Sequence, residues 1–312
     1  MKIKDLGEKK LIERISRKCK SKNVKVGIGD DAALVDINGK DMVFTTDSLV
    51  EGKHFKLDWF LPGQIGKKAI EINVSDIGAM NSKPLYCLVS LCLPKDTDVK
   101  FLDKLYEGIY SVCDKYKIDV IGGNMTNGKQ IIVDVTMIGE SIGNVPLRKN
   151  AKPGDKIIVT GNLGNSAAGL NLFFKGKKGF SKIKKKYLER KAKLEKAHKL
   201  SKLVNSMEDC SDGLSSEVRN ICDASDCGAI IDWDKIPFSK ETKKACREIR
   251  KDPHKFALFG GEDFELVATI SKDNLSKINA IAVGKITKEK GIFLKRSGKK
   301  EKLEEFGYDH FR

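Results

Sequence analysis

From one end of the chain to the other, apolar positions recur either at helical spacing or in short extended runs, separated by turn residues. Residues 8 to 19 read as a helix and 32 to 37 as a strand. Asn38-Gly39 separates that strand from Met42-Val43-Phe44, a hairpin signal because both turn residues tolerate positive φ. Thr45, Thr46 and Asp47 are expected at the outgoing strand's end. A helix over 62 to 80 carries Asp76, and 84 to 93 reads as a buried strand. Another helix over 98 to 116 precedes strands near 118 to 122 and 130 to 139.

The polar stretch 140 to 155, with Pro146 and Pro153, is the linker candidate, so the chain divides into domains at 1–145 and 146–312. A strand over 156 to 160 opens the second half and leads into Gly161 to Gly169 and a helix. A further helix follows Asp212-Gly213, with strands near 228 to 232, 264 to 270 and 279 to 287. The fold class is α/β, or α+β: two unlike halves with a cleft between them.

With 312 residues, 40% of them hydrophobic, the chain buries a substantial core. Its net charge of +16 raises nucleic acid or an anionic membrane as partners, but the distribution argues against both. Residues 175 to 202 hold twelve Lys and one Arg against two Glu, a net of +11, leaving +5 for the other 284 residues. Ile183, Tyr187, Leu188, Leu194 and Leu200 among those lysines predict an amphipathic surface helix. Phe180 and Tyr187 are too few for a base-stacking platform. Eight dispersed cysteines without a C-x-x-C read as reduced thiols. The first residues lack the apolar core of a signal peptide, and no run approaches the ~20 apolar residues of a membrane span. A soluble, cytoplasmic protein is expected.

The chemistry lies in five segments: Gly27-Ile-Gly-Asp-Asp-Ala-Ala33, Thr45-Thr46-Asp47, Asn73-Val-Ser-Asp76, Asp209-Cys-Ser-Asp-Gly-Leu214 and Gly260-Gly-Glu-Asp-Phe-Glu-Leu266. Clustered carboxylates and hydroxyls without interspersed His or Cys are the hard-oxygen surroundings Mg²⁺ prefers. Each segment alone is equally a turn or helix cap, since Asp and Gly serve both. Together they point to a Mg-nucleotide enzyme. No G-x-x-x-x-G-K-[ST] loop is present, and the Gly161 to Gly169 turn needs glycine for ordinary geometry too.

Thr45-Thr-Asp-Ser-Leu-Val-Glu-Gly-Lys-His-Phe55, Asn73-Val-Ser-Asp-Ile-Gly-Ala-Met80 and Leu147-Arg-Lys-Asn-Ala-Lys-Pro-Gly-Asp155, taken with those segments and the terminal Gly307-Tyr-Asp-His-Phe311, closely resemble the thiamine-monophosphate kinase family in order and spacing. The resemblance covers nearly the whole chain, least well around 175 to 202. It implies a two-domain aminoimidazole-ribonucleotide synthetase-like fold, dimerised through the N-terminal sheets. It also implies transfer of the γ-phosphoryl group of ATP to thiamine monophosphate. By matching motifs, Asp30, Asp31, Thr45, Thr46, Asp47, Asp76, Asp209 and Asp212 would hold Mg²⁺, with Asp47, Asp76 and Arg148 central to catalysis. Gly123, Asn124, Arg148 and Ser211 would meet ATP; His54, Glu262 and Tyr308 would face thiamine monophosphate. Asn124 stands where the family usually has Asp, offering an amide oxygen in place of a charge. The rival expectations are another ATP-dependent enzyme of the same superfamily, purine-biosynthetic or selenophosphate synthetase-like, and a non-catalytic nucleic-acid-binding relative.

Overall fold

The computed structural model describes residues 2–304 and 307–311. The first half contains α1 (Glu8–Ile15), β1 (Val24–Val26), β2 (Ala33–Ile37), β3 (Lys40–Val50), α2 (Pro62–Ala79), β4 (Ser82–Leu93), α3 (Val99–Tyr116), β5 (Asp119–Asn127) and β6 (Ile132–Ser141). Its strands form one sheet in the order β1-β2-β3-β6-β4-β5. All neighbours are antiparallel except β4 and β5, the parallel pair that α3 connects. The Asn38-Gly39 hairpin forms as expected, at φ 54° and 82°.

Pro62 starts α2 at a position where its missing N–H costs nothing, and the Asp98 carboxylate caps α3 by accepting from Lys100 N at 2.8 Å. The two helices pack very closely. A Cβ on Gly66 would lie 2.1 Å from the Leu105 carbonyl oxygen, and one on Gly108 at 2.1 Å from that of Gly63. They cover one face of the sheet only. Val43, Leu49, Val89, Leu91, Val133 and Val135 point into that face and are buried, whereas Tyr86 and Leu88 on the other face are 40% and 37% exposed.

The second half contains β7 (Lys156–Val159), α4 (Asn165–Phe174), α5 (Ser181–Leu188), α6 (Leu194–Leu200), β8 (Ser206–Asp209), α7 (Leu214–Ala224), β9 (Gly228–Asp232), α8 (Lys240–Glu248), α9 (Pro253–Phe259), β10 (Leu266–Ile270), α10 (Lys272–Leu275), β11 (Ile281–Thr287), β12 (Gly291–Arg296) and β13 (Lys299–Lys302). Its strands form a mixed sheet, β13-β12-β9-β11-β7-β10-β8. Helices cover both faces: α7 and α9 lie over Ile157, Val159 and Val267, and α6 lies over Ile158, Met207 and Ala268. The α/β class is as the pattern predicts.

Three local expectations are corrected. Helix α1 stops at Ile15, where Ser16 turns extended; the following Arg-Lys-Cys-Lys-Ser-Lys run has no apolar stripe to bury. Thr45, Thr46 and Asp47 lie in the middle of an eleven-residue β3, not at its end, because β6 continues to pair with it as far as Val50. The basic segment is not one surface helix. It forms α5 and α6 around a bend at 189–193, and Ile183, Tyr187, Arg190, Ala197 and Leu200 are buried. Tyr187 belongs to the core of the first half, so this segment ties the two halves together.

Candidate active site

Strand alternation decides which oxygens meet. Thr45 and Asp47 point to the helix-covered face of the first sheet, opposite Met137 and Val135, where Asp76 projects from α2. Thr45 Oγ1 donates to Asp76 Oδ2 at 2.6 Å. From the residue just before Asp76, Ser75 Oγ donates to Asp209 Oδ2 at the end of β8, so the acids of the two halves converge. The loop before β2 adds Asp30 and Asp31. Arg148 N donates to Asp30 Oδ2 at 3.1 Å, and the Arg148 guanidinium pairs with Asp31 and Glu208.

These carboxylates lack enough positive charge of their own. Burial, then Asp31, pushes Asp30 up to about 6, and burial, then Asp134, pushes Asp47 up to about 6. Asp76 lies well above the ordinary carboxylate range through burial and repulsion by Asp47, Asp209 and Asp31; Asp209 does so through burial and Asp31. Burial and Glu8 raise Asp212 to about 7. Asp31 Oδ2 is buried without a hydrogen-bond partner. An all-oxygen, mutually repelling and partly unsatisfied set fits a hard cation. Among the described residues, no three Asp, Glu, His or Cys side chains gather as ligands of a single ion.

The Gly-Gly-Glu-Asp-Phe-Glu turn presents the opposite electrostatics. Lys68 Nζ donates to Glu262 Oε1 at 2.5 Å, and Arg190 Nη2 to Glu262 Oε2 at 2.7 Å. Burial would raise this carboxyl, but Lys68 and Arg190 outweigh it and hold it at about 2. Asp263 accepts from the backbone N–H of Gly164 and Ser166, capping α4. The Gly-rich turn before α4 therefore already spends its amides on a protein carboxylate. Glu262 N donates to the Ser211 carbonyl at 2.6 Å, and Tyr308 N to the Asp212 carbonyl at 3.1 Å. The loop 209–214, the turn 260–266 and the C-terminal tail thus form one unit.

His54 follows β3 and accepts a hydrogen bond at Nδ1 from Val50 N, 2.9 Å away. Burial and Lys68 lower its pKa to about 4, so the ring is neutral at physiological pH. It lies 5.0 Å from the His310 ring, which is 4.9 Å from Tyr308. His54, Glu262 and Tyr308 therefore border one region of the domain junction.

Two expected ligands lie elsewhere in the single chain. Thr46 points to the open face of the sheet, and its hydroxyl is 3.2 Å from that of Thr136. Asn124 on edge strand β5 pairs with Ser90, which pairs with Asp134, opposite Ser48. That row lies on the same open face, so the sheet separates the Asn124 amide from Asp76. Gly123 is beside it on β5, where a Cβ would strike the Val89 carbonyl at 1.8 Å. Ser211 contributes its carbonyl to the turn that carries Glu262.

Lys68, Arg190, Glu208 and Asp134 escaped the reading of the sequence. Lys68 carried a signal: it follows Ile65 by three residues and precedes Ile72 and Asp76 by four and eight, on the buried stripe of α2. Arg190 is set apart locally only as the one arginine among the twelve lysines of 175 to 202.

The family profile described as AIR synthase related protein, N-terminal domain, matches residues 29–141, and the corresponding C-terminal domain matches 152–296. The thiamine-monophosphate kinase of Aquifex aeolicus is 35% identical over 316 residues, covering 100% of both chains. That of Pyrococcus horikoshii is 39% identical over 287 residues, 91% of each chain. A solved structure of AaThiL complexed with AMPPCP and TMP superposes with a TM-score of 0.90 at 35% identity, covering 99% of each chain. With identity of this degree from end to end, and the same two domains in the same order, this chain belongs to the thiamine-monophosphate kinase family.

Proposed function

We propose that the protein transfers the γ-phosphoryl group of ATP to thiamine monophosphate, giving thiamine diphosphate and ADP in thiamine diphosphate biosynthesis. The observation that carries this reading is the full-length match to thiamine-monophosphate kinases, one solved with an ATP analogue and TMP. The acid cluster at the domain junction supplies the chemistry such a transfer requires.

The acceptor is a phosphate oxygen. A phosphate monoester has a second pKa near ~6 and is largely dianionic at neutral pH, so no general base is needed. His54, neutral and holding its Nδ1 toward Val50, suits binding rather than proton transfer. The difficulty is bringing two polyanions into line. Mg²⁺ bound at the acid cluster would neutralise phosphate charge as it shifts toward the leaving group. Asp30, Asp31, Asp47, Asp76 and Asp209 are the residues to hold it, with Thr45 keeping the Asp76 carboxylate oriented and Asp212 at the margin. Arg148 steadies Asp30 and Asp31 and, with 17% of its side chain exposed, is the residue to meet the nucleotide. Glu262, His54 and Tyr308 face the thiamine portion. Transfer is direct and in line.

A homodimer through the open sheet face is part of this reading, supported by exposed Tyr86 and Leu88 and the unpaired edge of β5. The cytoplasm is the proposed compartment; among the described residues, no helix is long and apolar enough to cross a membrane.

The test is to incubate the purified protein with Mg²⁺, ATP and thiamine monophosphate and to separate the products chromatographically. Thiamine diphosphate and ADP should appear in equal amounts. ATP consumption with aminoimidazole precursors or selenide, and none with thiamine monophosphate, would move the protein to another branch of the superfamily. Salt-sensitive RNA or DNA binding without ADP formation would make it a non-catalytic relative.

A further inference from the structure

Three distant parts of the chain meet at the Glu262 carboxylate. Lys68 reaches it from α2 of the first domain, its side chain fully buried, and also donates to the His54 carbonyl at 2.7 Å. Its ammonium lies 5.6 Å from the Phe60 ring centre and 5.7 Å from that of Tyr187. Arg190 reaches it from the bend between α5 and α6. Its Nη2 lies 2.7 Å from both Glu262 Oε2 and Ser166 Oγ, an arrangement that suits a planar guanidinium.

Structural need alone does not account for this arrangement. Glu262 adopts φ 66°, a conformation that costs a non-glycine residue energy and persists where its surroundings overdetermine it. Both of its oxygens are clamped by separate cations, yet 27% of the side chain remains exposed, at a junction that His54 also borders. A carboxylate held in this way is aimed and cannot rotate. The same Lys68 also fixes the backbone of His54.

We propose that Lys68 and Arg190 are positioning residues for the thiamine monophosphate half of the site, fixing the direction of the Glu262 carboxylate and the seat of His54 across the domain junction. The proposal rests on the kinase reading above. It gives the basic segment a place in substrate specificity through a single buried arginine, while its lysines stay largely at the surface. It also predicts a separation of effects, because neither cation touches the Asp30, Asp31 and Arg148 network.

Steady-state kinetics on the full chain test this, with thiamine monophosphate varied at saturating Mg-ATP and the reverse. Arg190→Gln should raise KM for thiamine monophosphate about 10- to 100-fold, the cost of a misaimed group remote from the chemistry. KM for ATP should stay within about twofold, and Arg190→Lys should recover part of the loss. Glu262→Gln should behave alike, and the double variant should be no worse than the poorer single one, as for residues acting as a unit. Unchanged KM for thiamine monophosphate, or parallel rises in both KM values with a falling melting temperature, would overturn the positioning role. Should Arg190→Gln fail to fold, the split between the two KM values in Arg190→Lys decides between the same outcomes. A wild-type protein that forms no thiamine diphosphate would instead refute the kinase reading itself.

Discussion

The acid cluster and the Glu262 clamp lie at the same domain junction, are both centred on carboxylates, and have opposite electrostatics. Asp30, Asp47 and Asp212 are raised to about 6, 6 and 7 by burial and by their neighbours' charge. Glu262 is held at about 2 because Lys68 and Arg190 bring two positive charges to its two oxygens. One group of carboxylates is therefore short of positive charge, with Arg148 serving Asp30 and Asp31, and the other carries its own. A buried acid with internal partners is prepared to orient something; a buried acid without them is prepared to bind charge.

The comparison breaks most visibly at its charge-poor end. Asp47→Asn and Asp76→Asn should each lower kcat by about 100-fold or more while circular dichroism stays unchanged, the loss expected when charge stabilisation at a transferring phosphoryl group is removed. Near-normal turnover at limiting Mg²⁺ would remove both from the metal site.

At the charge-rich end, Lys68→Met leaves Glu262 with one partner in place of two. Breaking a buried pair on one side costs about 3 to 5 kcal/mol, measurable as a lower denaturant midpoint. A companion Lys68→Met/Glu262→Gln variant should not recover that loss, because it leaves the buried Arg190 guanidinium without its carboxylate. A Lys68→Met midpoint equal to that of the wild type would mean that the pair contributes nothing.

The two regions should also differ in sign with pH. Carboxylates whose pKa is raised by folding stabilise the fold while protonated and lose that contribution as pH rises. Metal-free protein should therefore lose stability from about pH 4 up to the values near 6 and 7 of Asp30, Asp47 and Asp212. Glu262 acts the other way, its contribution vanishing as pH falls from the ordinary value of 4.5 toward 2. Thermal melts with and without Mg²⁺ check this: at a hundredfold excess over Kd, Mg²⁺ should add about 2.7 kcal/mol near pH 7.5. The gain should be clearly smaller at pH 5. An Mg²⁺ effect independent of pH would contradict the assignment of cation binding to the raised acids.

The smallest effect sharpens the boundary between the regions. Asn124→Asp adds a charge on the open face, across the sheet from Asp76, so within one chain it should change Mg²⁺ affinity by less than about threefold, a screened surface interaction. Tightening of tenfold or more in a titration would mean that Asn124 reaches a metal position supplied by a second copy of the chain.

Much of the molecule is legible in local chemistry. Local signals yield the hairpin at Asn38-Gly39, α2 with Asp76, the α/β class and the strand at 84–93, because hydrophobic period and turn chemistry are local properties. That strand is buried on one face only, and not on both as its apolar run predicts. The five acidic segments could be singled out as a candidate site because hard-oxygen residues without His or Cys suit a particular kind of ion, and that chemistry can be read residue by residue. Tertiary structure alone decided which of them meet. The register of β3 against β6 sends Thr45 and Asp47 to Asp76 but turns Thr46 toward Thr136, a difference of one residue that the pleat converts into opposite faces. It likewise took the packing of two domains to single out Arg190, one basic residue among thirteen between 175 and 202, as the buried partner of Glu262. Composition records how much charge a segment carries. Only the fold determines which of those charges lose their water, and desolvation is what makes a charge specific.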